Sequence, residues 1–279
     1  MLKIGRTPFR NTEFIYHCMR EKDKYEFKTN YPPKLGEMLL SGELDIAPAS
    51  SIIYAKNSCK LKILPDFSIS AMGVTGSILL ISNKFSSTDD LKSNENLNLN
   101  SSLKIALTST SATSAALLKI ILKIKNINAK FISMKPNIEK MLENSDASLL
   151  IGDDAIRQSE KNNYNMIDLG EEWAGLTGSG MVYALWLITN DSAREKTNEI
   201  KEFLGEIKQA RKFAYENFDS VVGKLADDAG ISKSTLSRHL SCLSYNLDAR
   251  EKVWLQKYFK YAKDYRMIDE VPKLNFFKI

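Results

Sequence analysis

The feature that most constrains this chain is a junction that repeats: an apolar strand signal, a cluster of hydroxyl residues, then a helical pattern. The longest copy runs Lys104-Ile105-Ala106-Leu107, then Thr108-Ser109-Thr110-Ser111-Ala112-Thr113-Ser114, then Leu117, Leu118, Ile120, Ile121 and Leu122 at helical spacing. Where a strand gives way to a helix, free backbone N–H groups and the positive end of the helix dipole collect, so anions bind there readily. Ser and Thr add donors without adding charge. The same residues are also good helix N-caps, so this stretch alone reads as a cap or as a site. Shorter copies occur at Asn11-Thr12 and at Ser50-Ser51, the latter after Leu44-Asp45-Ile46-Ala47-Pro48. Several such junctions can converge on one anion.

Strand signals alternate with helical ones along the first two thirds of the chain, which predicts an α/β fold with mainly parallel pairing. Leu61–Leu64 reads as a strand, and Phe67–Ile69 is another short apolar patch. Residues 83–102 are polar and rich in Asn and Ser, which suggests a surface helix and a loop. Two strongly apolar strands, near 77–82 and 181–188, bracket a complete set of strand–helix units. That arrangement predicts an inserted lobe joined to the first by two crossing strands: residues 1–82 with 187–279 as one lobe, 83–186 as the other. A ligand then belongs in the cleft between lobes, at strand ends that feed helices. From about Ser192 the pattern is helical to near Lys263, with breaks at Gly230 and near Asn246.

Composition narrows the chemistry. Of 279 residues, 39 are Lys or Arg and 34 are Asp or Glu, a net charge of +5. The lysines are scattered, which favours an anionic ligand over nucleic acid. Cys18, Cys59 and Cys242 lie far apart, so neither a disulfide framework nor a cysteine metal site is suggested, and two histidines argue against a metal enzyme. No cofactor is expected. The N-terminus opens directly into a strand pattern and no run of about 18 apolar residues occurs, so the reading is cytoplasmic, without a membrane partner.

At these residues the chain resembles a known family. The pieces are Ile4-Gly5 with Phe9-Arg10-Asn11-Thr12; Gly42-Glu43-Leu44-Asp45-Ile46-Ala47 with Ser50-Ser51 and Tyr54-Ala55; Leu64-Pro65-Asp66 with Gly73 and Ser77-Ile78-Leu79-Leu80; Ile105-Ala106-Leu107 with Ser111, Thr113-Ser114 and Leu117-Leu118; Leu149-Leu150-Ile151-Gly152-Asp153; and Asp168-Leu169-Gly170-Glu171-Glu172-Trp173 with Thr177-Gly178. In this order they resemble the chorismate dehydratases of the futalosine route to menaquinone, on a two-lobed periplasmic-binding-protein-like (type II) fold. The chain departs from that family at Arg10, where Leu is common, and at Thr108, where an acid is usual. It departs again at Ser179-Gly180-Met181-Val182-Tyr183-Ala184, where the family usually has Leu-Pro-Phe-Val-Phe-Ala. The first and last of these changes are expected to line the cleft. A related dihydroxynaphthoate synthase uses a mid-chain histidine, and this chain has none between His17 and His239.

The resemblance implies a hydro-lyase that removes water from chorismate to give 3-[(1-carboxyvinyl)oxy]benzoate. The product is aromatic, so the enzyme needs no aggressive base; it must hold two carboxylates and assist loss of a hydroxyl. On this reading a substrate carboxylate takes the proton while Asn11 orients it. Ser77, Ser111, Thr113 and Ser114 bind the carboxylates, and Ser50, Ser51, Gly152 and Asp153 complete the substrate site. Plainer readings stand beside these: Asn11 as a turn former, Ser50 and Ser51 as caps, Asp153 and Asp154 as caps of the next helix. Two other functions stay open. One is a non-catalytic small-anion binder on the same fold. The other is a ligand-sensing regulator, because Leu225–Leu240 reads like a DNA-binding helix-turn-helix. Asp227 and Asp228 would repel phosphates there, which favours two ordinary helices.

Overall fold

The computed structural model describes residues 1–90 and 103–278. The chain opens with β1 (Leu2–Arg6), α1 (Arg10–Tyr16), β2 (Tyr25–Thr29), α2 (Pro32–Leu40), β3 (Ile46–Ser50), α3 (Ser51–Lys56) and β4 (Leu61–Ala71). It then enters β5 (Ile78–Ser82), β6 (Leu103–Thr108), α4 (Ala112–Ile124), β7 (Ala129–Met134), α5 (Ile138–Glu143), β8 (Ala147–Ile151), α6 (Gly152–Lys161), β9 (Asn165–Asp168) and α7 (Leu169–Thr177). It returns through β10 (Met181–Thr189) and ends in α8 (Asn190–Glu195), α9 (Thr197–Glu216), α10 (Phe218–Ala229), α11 (Lys233–Ser241) and α12 (Ala249–Asp264).

Two five-stranded sheets result, in the orders β2-β1-β3-β10-β4 and β7-β6-β8-β5-β9. The two orders are one pattern used twice. In each sheet the fourth strand comes from the crossing chain and runs antiparallel to its neighbours: β10 against β3 and β4, β5 against β8 and β9. A strand that enters a lobe from the cleft must run away from it, whereas strands that feed helices at the cleft run toward it. This corrects the expected boundaries. The apolar strand at 78–82 belongs wholly to the second sheet and the strand at 181–189 to the first, so the crossings are the short segments 72–77 and 178–180 that precede them.

The strand expected at 61–64 and the apolar patch at 67–69 are one strand of eleven residues. Its register with β10 slips between Leu185 and Leu187, and the slip absorbs Pro65 and Asp66, the latter at φ 69°. Proline is tolerated because β4 is an edge strand interrupted at that point. Its outer edge is covered: Ser68 and Ser70 N–H groups donate to the Tyr245 and Ser244 carbonyls, and Ile63 N–H to Asn275. Of the polar stretch 83–102, residues 91–102 lie outside the described residues.

The core beneath β10 is aromatic. Trp186 is fully buried against Tyr16 and Phe67, and its indole N–H donates to the Tyr16 hydroxyl at 2.9 Å. The last helix, α12, packs against α3, α4 and β10 and so touches both lobes. Trp254 of that helix lies over Gly180, where any Cβ would stand 2.6 Å from the indole ring. The pair α10–α11 covers the helix-turn-helix-like sequence. It buries Leu225, Ala226, Leu236 and Leu240, and Lys233 is paired with Asp219. No described helix is long and apolar enough to cross a membrane.

Candidate active site

The strand-to-helix junctions of both lobes open onto one cleft. From the first lobe come Thr7, Phe9, Asn11 and Thr12 around the start of α1, and Ser50 at the start of α3. From the second come Ser111 and Ser114 at the start of α4, and Ile151 and Gly152 at the start of α6. The crossing segment adds Thr75 and Ser77, and β10 adds Tyr183 and Ala184. Apolar walls are supplied by Phe9, Pro48, Ile69, Ile78 and Leu243. Among the described residues, no charged side chain lines this cleft. An anion here meets neutral donors and helix N-termini.

The lining groups divide by whether they are already bonded. Ser111 is a true N-cap: its Oγ accepts from the Ser114 N–H at 3.1 Å and donates to the Ser114 Oγ at 2.9 Å. Ser111 therefore both caps α4 and lines the cleft. Ser50 occupies an N-cap position without capping, and it lines the cleft. The Asn11 carbonyl oxygen Oδ1 accepts from Thr12 at 3.2 Å, and the Asn11 backbone carbonyl accepts from Tyr245 at 2.7 Å. Asn11 lines the cleft. Ser77 is buried and its carbonyl accepts from the Gly152 N–H at 2.8 Å, tying the crossing segment to α6.

Three residues expected at the site do not line the cleft. Ser51 donates to the Val182 carbonyl at 2.8 Å and lies 3.5 Å from the Thr113 hydroxyl, which in turn accepts from the Ile52 N–H at 3.4 Å. Ser51 and Thr113 therefore join α3 to α4, one lobe to the other. The reason is angular. Ser111 and Ser114, three apart, share a helix face, whereas Thr113 is rotated roughly 100° from Ser114. Asp153 accepts from the Arg10 backbone N–H at 3.0 Å and pairs with its guanidinium at 3.3 Å. It is the other half of a contact with Arg10, the family departure, rather than a cleft wall. Thr108, another departure, bonds Thr110 at 2.8 Å below the junction.

Sequence reasoning missed the groups that shape the crossing. Asp168 accepts from the N–H groups of Thr75, Gly76 and Gly170 at 2.9, 2.7 and 2.8 Å and from the Thr75 hydroxyl at 3.0 Å. His239, on α11, meets the Thr75 carbonyl through Nδ1 at 2.8 Å, so that nitrogen carries the proton. Burial lowers the His239 pKa, although the Thr75 carbonyl opposes the shift. Tyr183 was foreshadowed only by the unusual run 179–184. Its phenol is buried, and burial, then the charge of Asp168, push its pKa well above the usual value. Among the described residues, no group of three or more His, Cys, Asp or Glu side chains is arranged to hold a metal ion.

Two matched sheets, two crossings and a cleft between helix N-termini define a two-lobed α/β protein of the periplasmic-binding-protein type. Solved structures agree. An Archaeoglobus fulgidus protein, AF1704, superposes with a TM-score of 0.75 at 17% identity, over 96% of this chain and 98% of that one. The alkanesulfonate-binding protein SsuA from Xanthomonas axonopodis pv. citri, bound to MOPS, superposes with a TM-score of 0.70 at 15% identity, over 99% and 96%. A model of the menaquinone biosynthesis family matches residues 2–264, and the chain belongs to that family. A relative named chorismate dehydratase, from Thermus thermophilus, is 25% identical over 271 residues, covering 91% of this chain and 93% of its own.

Proposed function

We propose that this protein is a chorismate dehydratase, a hydro-lyase that converts chorismate to 3-[(1-carboxyvinyl)oxy]benzoate in menaquinone biosynthesis. The observation that carries the reading is the cleft lined by neutral donors and apolar walls, with no charged side chain among its described lining residues. Most eliminations need a protein base to take the proton. This one removes the C3 hydrogen and the C4 hydroxyl as water and leaves an aromatic ring, so the ring supplies much of the driving force. A substrate carboxylate, held close and stripped of water, suffices as the base.

In this scheme the Asn11 side-chain N–H₂ orients that carboxylate and the departing hydroxyl. Ser77, Ser114 and the Ser111 junction hold the substrate's carboxylates, with Ser50 completing the donor set. Neutral donors fixed by helix ends stabilise charge that shifts during reaction without reorganising. Phe9, Ile69 and Leu243 suit the flat ring. Ser51 and Thr113 contribute by holding the lobes together, and Asp153 by meeting Arg10. The relative named chorismate dehydratase supports the same substrate.

Incubating the pure protein with chorismate, and following the aromatic enol ether by absorbance and chromatography, tests the reading. Product at a turnover well above the spontaneous rate supports it. Tight binding without product favours a non-catalytic anion binder on this fold.

A further inference from the structure

The elimination described above has no use for Tyr183, which lines the cleft. On β10, Val182 opposes Ser70 and Ala184 opposes Ile69, so Tyr183 is the extra residue where the register with β4 slips. Such a bulge takes one residue out of the ladder and re-aims its side chain. The re-aimed side chain lines the cleft. Tyr183 is 8% exposed, and its hydroxyl has no hydrogen-bond partner among the described residues.

That oxygen is itself buried and closely packed. A Cβ on Gly170 would stand 2.8 Å from it and 2.4 Å from the Gly73 carbonyl oxygen. Several other hydroxyls of the lining are already engaged, Thr7 with Thr12, Ser111 with Ser114 and Thr75 with Asp168. A buried hydroxyl without a partner costs stability, and its persistence calls for a partner supplied from outside. Burial and the nearby carboxylate of Asp168 keep the phenol protonated, so it can only enter a ligand contact as a neutral donor or acceptor. Relative to the family's usual run, Tyr183 keeps the aromatic ring and adds one oxygen.

We propose that the Tyr183 hydroxyl is a substrate-binding and specificity-determining donor, which bonds an oxygen of the bound anion and favours ligands that carry one at that corner of the cleft. The proposal takes the identity of the ligand, and nothing else, from the chorismate reading. Tyr183→Phe keeps the ring and removes the oxygen alone. Expected is a fall of roughly 10- to 100-fold in kcat/KM for chorismate, the effect of one hydrogen bond to a charged or strongly polar ligand group. The ligand-free variant should melt at the same temperature or higher, because an unpartnered buried hydroxyl is gone. An unchanged kcat/KM overturns the proposal, since the hydroxyl then touches no substrate. A ligand-free Tm lowered by more than about 2 °C also overturns it, since the hydroxyl then holds the fold. If the wild-type protein converts no chorismate, the functional reading fails, and calorimetric titration of chorismate into both proteins decides this one. Weaker binding by the Phe variant supports it; equal binding, or binding by neither, overturns it.

Discussion

Arg10 and Asp153 join the two lobes: the Arg10 backbone N–H donates to one carboxylate oxygen at 3.0 Å and its Nε to the other at 3.3 Å. Each residue is next in sequence to a cleft residue, Asn11 on one side and Gly152 on the other. This lobe-joining contact is therefore one residue away from the cleft lining on either side.

Asp153→Ala should loosen closure more than it harms chemistry. A partly exposed pair of this kind contributes about 1 kcal/mol, so KM for chorismate should rise roughly 5-fold while kcat falls less. Asp153→Asn keeps an acceptor for the Arg10 backbone N–H and should show a smaller effect. Raising the salt concentration should then raise KM for the wild type and leave the Asn variant nearly unchanged. Steady-state kinetics at two ionic strengths check this.

Gly152 stands at φ 59°, and a Cβ there would meet the Phe9 ring at 2.6 Å. Gly152→Ala therefore adds left-handed backbone strain to a steric conflict between the lobes. Urea unfolding should show a loss of at least about 1–2 kcal/mol from the backbone alone. Activity should fall further than stability explains, because Phe9 must move and it lines the cleft.

His239 gives the protein an acid-sensitive joint. It is buried and neutral, with a pKa depressed below its usual value by burial. The unfolded chain takes up a proton below about pH 6.5 that the folded chain refuses, so the unfolded state binds more protons and stability falls as pH falls. Above that pH this contribution is fully present. Between about 6.5 and the depressed folded value, up to roughly 1.4 kcal/mol should be lost per pH unit. His239→Gln can still donate to the Thr75 carbonyl but does not titrate, and should flatten the profile. Melting temperatures of both proteins from pH 7.5 to 5 measure this directly.

The sequence made the fold legible because both of its rules are local. Apolar strands alternate with helical patterns, and hydroxyl residues mark the junctions, so the α/β class, the two lobes and the cleft follow from neighbouring residues. Boundaries were less legible. Ile78–Ser82 and Met181–Thr189 are equally apolar, and which sheet each joins depends on strands far away in the chain. Within a junction, the sequence could not separate neighbours that point in different directions. Ser50 and Ser51 read alike, yet one lines the cleft and the other bonds the Val182 carbonyl. The roles of Asp168 and His239 were invisible, because both act on the crossing segment, some 90 and 160 residues earlier in the chain.

In the proposed reaction, a neutral amide in a cleft with no charged side chain among its described lining residues directs a dehydration whose base belongs to the substrate. The most direct measurement compares wild type and Asn11→Ala for chorismate turnover and, separately, for chorismate binding by calorimetry. Asn11→Ala should lose turnover roughly 100- to 1000-fold, the range for removing one positioned donor, with affinity changed only a few-fold. Equal loss of turnover and binding, or no effect on either, would contradict it.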